Sequence, residues 1–456
     1  MSTLGRVCGA GCVGRVGMLM LTAAGLALSG GVALAQPVGE VEFVRGVGFA
    51  QSAGQAPRTL GKGLPLSEGD RLTTADGASA IVKFNDGTRM TLRASSDLVI
   101  QQYQFKDNAQ NNSMLMQLLK GGLRAITGLI AKSSPNAARL QTSTATIGIR
   151  GTDFDARLCA TDCQADSAKV PDAPRPNAVQ ASARVLGVQG DINAIDPRGQ
   201  RRRLVDGGSV YPGETVETGA AARGVLVFRD ESRTSLGAST RFRVDSFVFD
   251  DKNPTDGRFL VSLLRGSMRA LSGLIGKANH RNVSFTTPTA TIGIRGTGLD
   301  VDCESDEACS FFSWLGTIEV SPNGQTALQV LMAGQGLQVG SAGIRPLNAS
   351  PLEGLPRPDR INVDLRQLFG ASDVSDDQPG LFVFVRDGHI EVTTGRETLH
   401  LGRGETGFAG DNGTTARPLL TPLFLEFDRT PMPDSKNPML QTVLGEAGVR
   451  TRNQCR

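Results

Sequence analysis

Histidine and tryptophan are scarce in this 456-residue chain, which has three of the first and one of the second. Histidine is the usual acid–base and metal-ligating side chain because it titrates near neutrality. His280, His389 and His400 form no HExxH pair, and the chain has no Gly-x-Ser-x-Gly elbow and no GxxxxGK[S/T] loop. His389 and His400 fall on neighbouring expected strands. No third ligand accompanies them, so they read as ordinary surface histidines rather than a metal pair. Carboxylates are plentiful, but no nucleophile–base set stands out. The expectation is a protein without catalytic activity, cofactor or metal. A glycan hydrolase, the least favoured reading, would need carboxylate pairs roughly 5–10 Å apart across a cleft.

Long apolar runs are missing beyond residue 35, so no later segment can span a bilayer as a helix. Residues 1–35 are different. They hold Arg6 and Arg15, no acidic residue, an apolar run over 16–34, and a small-x-small ending at Ala33-Leu34-Ala35. That is the pattern of a secretory signal peptide. The alternative is a retained membrane anchor. Cleavage after Ala35 takes the formal net charge from +3 to +1. A surface so close to neutral gives no electrostatic case for nucleic acid. The one dense basic cluster, Arg198 with Arg201, Arg202 and Arg203, is expected as an exposed turn.

Cysteine is sparse and paired. Cys8 and Cys12 belong to the signal segment, and Cys455 is odd. Cys159 and Cys163 lie close together, as do Cys303 and Cys309, which suggests two local disulfides in an oxidising compartment. The rival is a four-thiolate zinc site, whose pairs are usually spaced Cys-x-x-Cys. Loops this short restrict the unfolded chain little, so each bridge is expected to contribute less than ~3 kcal/mol.

Glycine, by contrast, is abundant at 56 residues. Together with few aromatics, it favours short strands and tight turns. The dominant feature is a duplication. Residues 118–152 align without a gap to 263–297, with 19 of 35 positions identical, and TATIGIRGT recurs unchanged at 144–152 and 289–297. The match extends upstream, pairing LSEGDRLTTADGASAIVKFNDGTRMTL with VYPGETVETGAAARGVLVFRDESRTSL. A smaller strand–turn–strand unit begins at Gly190, Gly316 and Gly388, with period-2 alternation in Ile318-Glu319-Val320 and Ile390-Glu391-Val392. The run LLKGGLRAITGLIAK reads as a strand, a glycine turn, a second strand and a helical turn near Ile130, since adjacent Gly121 and Gly122 disfavour a helix by about 1 kcal/mol each.

The expected organisation is all-β: signal peptide 1–35, module one 36–163, a Pro/Ala-rich linker 164–181, module two 182–309, a C-terminal β-hairpin unit 310–430, and a tail 431–456. Both modules keep an acid at Asp70/Glu214, Asp86/Asp230 and Asp155/Asp300. Glycines bracket Arg150 and Arg295 in the repeated GIRGT. The favoured reading is an internal latch in which Arg150 grips Asp70, Asp86 or Asp155. The other is an exposed anion contact repeated once per module.

With GIRGT and the upstream L-x-x-GD-x-L-T…F-x-DGT…L pattern, the sequence resembles the FecR domain family, over most of 40–155 and 185–300. Module two departs at Gly213-Glu214 and at Asp230-Glu231-Ser232. The resemblance implies a β-rich periplasmic domain of Gram-negative bacteria. It also implies similarity to a membrane sensor of iron-dicitrate uptake that controls a sigma factor through an N-terminal cytoplasmic segment. Only about 15 residues precede the apolar run here, too few for such a segment. The expectation is therefore a periplasmic or secreted binding protein whose partner is an envelope protein or a cell-wall polymer. The alternative is a membrane-anchored component of envelope sensing.

Overall fold

The computed structural model describes residues 36–107, 111–133, 137–352 and 354–425. The expected signal segment and the tail 431–456 lie outside these residues. The fold is all-β, with about 52% strand and 8% helix. Among the described residues no helix is long and apolar enough to cross a membrane.

The strands form two large sheets, each wrapped around its own hydrophobic core. Equivalent strands follow one another in the two modules: Ser79–Phe84 and Arg223–Phe228, Arg89–Leu92 and Arg233–Leu236, Ser113–Ile126 and Arg258–Leu271, Thr146–Cys159 and Ala290–Ser305. Alternation along Ser113–Ile126 buries Met114, Met116 and Leu118, then Leu123 and Ala125. The glycine turn expected at 121–122 is instead a bulge inside one continuous fourteen-residue strand. Gly121 takes φ +77° there, and a Cβ would lie 2.5 Å from Ser96 Oγ. Upstream of the bulge the strand pairs with Asp97–Gln104, and downstream with Arg89–Leu92 and Thr146–Cys159. The bulge lets one strand serve two parts of a folded-over sheet. The expected helical turn is present at Leu129–Ser133.

The C-terminal unit expected over 310–430 is divided between the sheets. Ala308–Pro322 returns directly from Ala290–Ser305 as a hairpin and belongs to module two, with Gln329–Met332 and Gly336–Gly340 beside it. Gly380–Thr393 instead pairs along Thr146–Cys159 of module one, from Thr146↔Thr393 to Cys159↔Gly380. Thr398–Gly402 and Thr406–Gly410 flank it. Leu381, Val383, Ile390 and Leu401 lie in the core of module one. Module two is thus nested in sequence inside module one, which the chain leaves at Cys159 and re-enters at Gly380. We call Ala308–Pro322 and Gly380–Thr393 the closing strands. The reason for the division is that Thr146–Cys159 would otherwise offer fourteen residues of unpaired backbone at a sheet edge.

The Pro/Ala-rich linker is held in place. Asn177 is buried and its side-chain amide donates to the Thr406 and Pro418 carbonyls. Of the basic cluster, Arg198 lies in the expected exposed turn, where its N–H donates to Asp196, whereas Arg201–Arg203 form a strand. The strand's arginines pair with Glu217, Glu214 and Asp191.

Candidate functional site

GIRGT lies where each module meets its closing strand. Gly151 and Gly296 take φ +58° and +62°, a left-handed bulge that glycine adopts without strain. On the facing strand, a Cβ at Gly388 would lie 2.5 Å from the Gly151 carbonyl, and one at Gly316 would lie 2.8 Å from that of Gly296. The bulge turns the next threonine across the gap: Thr152 donates to the His389 carbonyl and Thr297 to the Thr317 carbonyl. Arg150 pairs with Glu391 at 3.1 Å and Arg295 with Glu319 at 2.5 Å. Both glutamates belong to the Ile-Glu-Val of the closing strands. The latch partners expected for Arg150 were Asp70, Asp86 or Asp155. None of the three takes that role, because the register of the closing strand brings Glu391 opposite the motif.

The retained acids sit elsewhere. Asp70 accepts from Arg58, Ser52 and the Ser67 N–H, and Glu214 from Arg202 and the Tyr211 N–H. Asp86 accepts from the Thr88 hydroxyl and Tyr103, and Asp230 from the Ser232 hydroxyl and N–H. Burial pushes the Asp230 carboxyl up, and likewise that of Asp155, where Arg386 and Arg124 partly oppose the shift. These are bonds within one module that hold turns and strands in place. Cys159–Cys163 and Cys303–Cys309 are both disulfides, and the second staples the module-two hairpin at paired positions.

A dense polar cluster among the described residues lies between the modules, and no sequence motif marks it. Arg184 of module two is fully buried. It donates to both carboxylate oxygens of Glu405, to the Gly207 and Leu368 carbonyls, and to Ser209. Arg417 bonds the same Glu405 from the other side, together with the Gln367 and His400 carbonyls. His389 and His400 stack with centroids 5.6 Å apart, and the His400 ring presses on Gly207 of module two. They are therefore not surface histidines. Burial, and then neighbouring cations led by Arg184 and Arg150, hold His400 down at about 4, and His389 is also held well below the usual range. Both are neutral at physiological pH. Among the described residues no three His, Cys, Asp or Glu side chains are grouped to hold a metal.

The matching position in module two is open. Register with the closing strands aligns Thr398, His400 and Gly402 with Leu328, Val330 and Met332. In module one that strand lies against module two. In module two the strand Gln329–Met332 pairs on one side only, and Leu328, Val330 and Met332 are 50%, 52% and 63% exposed. A cleft of about 540 Å³ in module two, lined by Arg223, Ser267, Asp302 and Leu352 among others, contains no histidine or cysteine.

Residues 70–170 and 214–319 each match the family described as FecR protein. The chain carries two FecR domains. Both matches cover the GIRGT strand, and the second runs through Glu319, the latch partner on the closing strand. No curated protein matches. Two crystal structures of a candidate anti-sigma factor from Parabacteroides distasonis, at 1.65 and 2.50 Å resolution, align with 18% identity and a TM-score of 0.25. The alignment covers 30% of this chain and about 60% of the length of theirs.

Proposed function

We propose that this tandem FecR-domain chain is a non-catalytic interaction protein of the bacterial cell envelope, exported to the periplasm. Its partner is an envelope protein that docks on the open strand Gln329–Met332. The observation that carries this reading is the equivalence of the two edges. Both strands pair on one side only, but Thr398–Gly402 packs on Gly207, Ser209 and Tyr211 of module two, whereas the same position in module two bears Leu328, Val330 and Met332 exposed. An exposed apolar ladder on an open edge invites aggregation unless a partner covers it. Strand addition satisfies the backbone while alternate side chains supply selectivity.

The test is in-cell crosslinking of the full chain against a Val330→Asp/Met332→Asp variant. Loss of a specific crosslinked envelope protein, with unchanged melting, supports the reading. An unchanged crosslinking pattern overturns it. The apolar run at 16–34 motivates the second reading, an anchored component of envelope signalling. Sequencing the N-terminus of the mature protein from fractionated cells separates the two: a start at Gln36 in the periplasmic fraction favours export, and an intact residue 1–35 segment in the inner membrane favours the anchor.

A further inference from the structure

The contact between the modules joins two surfaces, and each surface has an uncovered counterpart at the other end of the chain. On one side stand Thr398–Gly402 and the turn that follows it. On the other stands the first turn of module two, residues 205–211. The His400 ring lies on Gly207, Gly402 abuts Ser209 and Tyr211, and Glu405 receives Arg184. Module one has the same turn 144 residues earlier. Gly63 donates to the Val41 carbonyl as Gly207 does to that of Val185, and Glu40↔Pro65 pairs as Arg184↔Ser209 does. Gly207, Ser209 and Tyr211 are buried, whereas Glu40, Gly63 and Pro65 are exposed. A Cβ at Gly63 would meet nothing within 4 Å among the described residues. The second uncovered surface is the exposed strand of module two, Leu328 to Met332, with the exposed Gln335 after it.

The two uncovered surfaces complement each other by paired exchanges. Register with the closing strands puts Val330 in the place of His400 and Met332 in that of Gly402, and three residues on Gln335 replaces Glu405. Opposite them, Gly63, Ser67 and Glu40 replace Gly207, Tyr211 and Arg184. Within the chain the fit at Gly402 is tight, since a Cβ there would lie 2.5 Å from the Tyr211 hydroxyl. Exchanging Tyr for Ser67 clears the room that Met332 fills, so volume is conserved across the contact. Val330 finds a glycine opposite it, as His400 does. The buried pair Arg184–Glu405 becomes Glu40 facing Gln335. Gln335 Oε1 accepts from the Met332 N–H, which leaves its amide N–H groups to donate to a carboxylate. Had Glu been kept in place of Gln335, two like charges would meet.

We propose that copies of this chain associate head to tail, with Leu328–Gln335 of one copy docked on Glu40 and residues 61–67 of the next. The inference rests on the docking surface of the proposed function and names a second copy as the protein that covers it. The contact between copies repeats the contact between modules. It is heterologous, because the two surfaces lie on different modules, so each copy added leaves a new surface of each kind open. Burial of Leu328, Val330 and Met332 drives it, and Glu40 with Gln335 sets its register.

The exported chain, residues 36–456, is followed by sedimentation velocity, and its mean mass is expected to rise with concentration. Gln335→Glu sets a carboxylate against Glu40 and is expected to weaken association at least about tenfold. Adding Glu40→Arg to that variant rebuilds the Arg184–Glu405 pair between copies and is expected to restore association. Both positions are exposed, so the melting temperature is expected to stay unchanged throughout. A chain that is monomeric at every concentration, or a double variant as weak as Gln335→Glu, overturns the proposal. As an independent measure, a benzophenone amino acid replaces Ala333. Its counterpart Arg403 stands over the Tyr211 ring at 4.6 Å, so the place accepts a long side chain. In mixtures of isotope-labelled and unlabelled chain, crosslinks between copies to residues 63–68 are expected. In cells, a crosslink from Ala333 only to a different envelope protein overturns the second-copy assignment and leaves the docking reading standing. No crosslink to any protein overturns both.

Discussion

Identical residues do unequal work in the two modules. Arg150 and Arg295 occupy the same place in GIRGT and each meets the glutamate of an Ile-Glu-Val, yet their side chains are 17% and 57% exposed. The Arg295 pair is a surface pair worth about 0–1 kcal/mol. Arg150→Lys keeps charge but loses the planar fork and is expected to lower the melting temperature more than Arg295→Lys. Equal shifts by calorimetry would count against the latch reading. Arg184 is a different case, because its removal strands Glu405 in a buried site. Arg184→Ala is expected to cost about 3–5 kcal/mol, read from the urea midpoint. The histidines set a pH dependence. His389 and His400 are held below their unfolded value, so between about pH 6.5 and pH 4 the unfolded chain binds protons that the folded chain refuses. Stability then falls as pH falls through that window, by up to about 1.4 kcal/mol per pH unit for each histidine. Asp155 and Asp230 act oppositely, with stability lost as pH rises above 3.8 toward their raised values. His400→Val, which installs the residue found at the matching Val330, is expected to flatten the decline between pH 6.5 and 5. An unchanged slope in denaturant titrations would refute this assignment. Nothing in the sequence marked these two histidines as buried, because His400 alternates with Leu399 and Leu401 as a solvent-facing residue would. It is module two that covers them.

At the scale of elements, the strand pattern was legible and the turns were less so. Period-2 alternation marked Ile318-Glu319-Val320 and Ile390-Glu391-Val392 as strands, and both are. The pair Gly121-Gly122 read as a turn because a positive φ usually ends a strand, but here it bends one strand without ending it. Gly121→Ala places a side chain at φ +77° and against Ser96, and is expected to cost at least about 1–2 kcal/mol. Gly61→Ala, at a position with open space around it, serves as the control and is expected to change the melting temperature little. The cysteine pairs were readable because each bridge is local in sequence, and the pairing across Cys303↔Cys309 follows from the hairpin register.

For the whole molecule, nesting has a consequence for folding. Module one lacks a complete core until the closing strand Gly380–Thr393 arrives, whereas module two closes by a local hairpin. Burying side chains such as Leu381, Val383, Ile390 and Leu401 is worth about 1.5–3 kcal/mol each, comparable in sum to the whole ~5–15 kcal/mol stability of a domain. A chain ending at residue 370 is therefore expected to keep module two protease-resistant while 36–163 is digested. Resistance of both would contradict the nested topology. By itself the sequence determined the duplication, the all-β class, the disulfide pairs and the FecR likeness, because alternation, glycine turns and short-range cysteine spacing are local properties. It also showed that GTIEV and GHIEV are alike. Only the tertiary structure decided that the first closes its neighbour in sequence while the second reaches back to Thr146–Cys159, that Glu391 rather than Asp70, Asp86 or Asp155 meets Arg150, and that the strand face which is covered in module one lies open in module two. Strand pairing joins residues far apart in the chain, and a strand's own residues specify which face it buries but not which edge it will join.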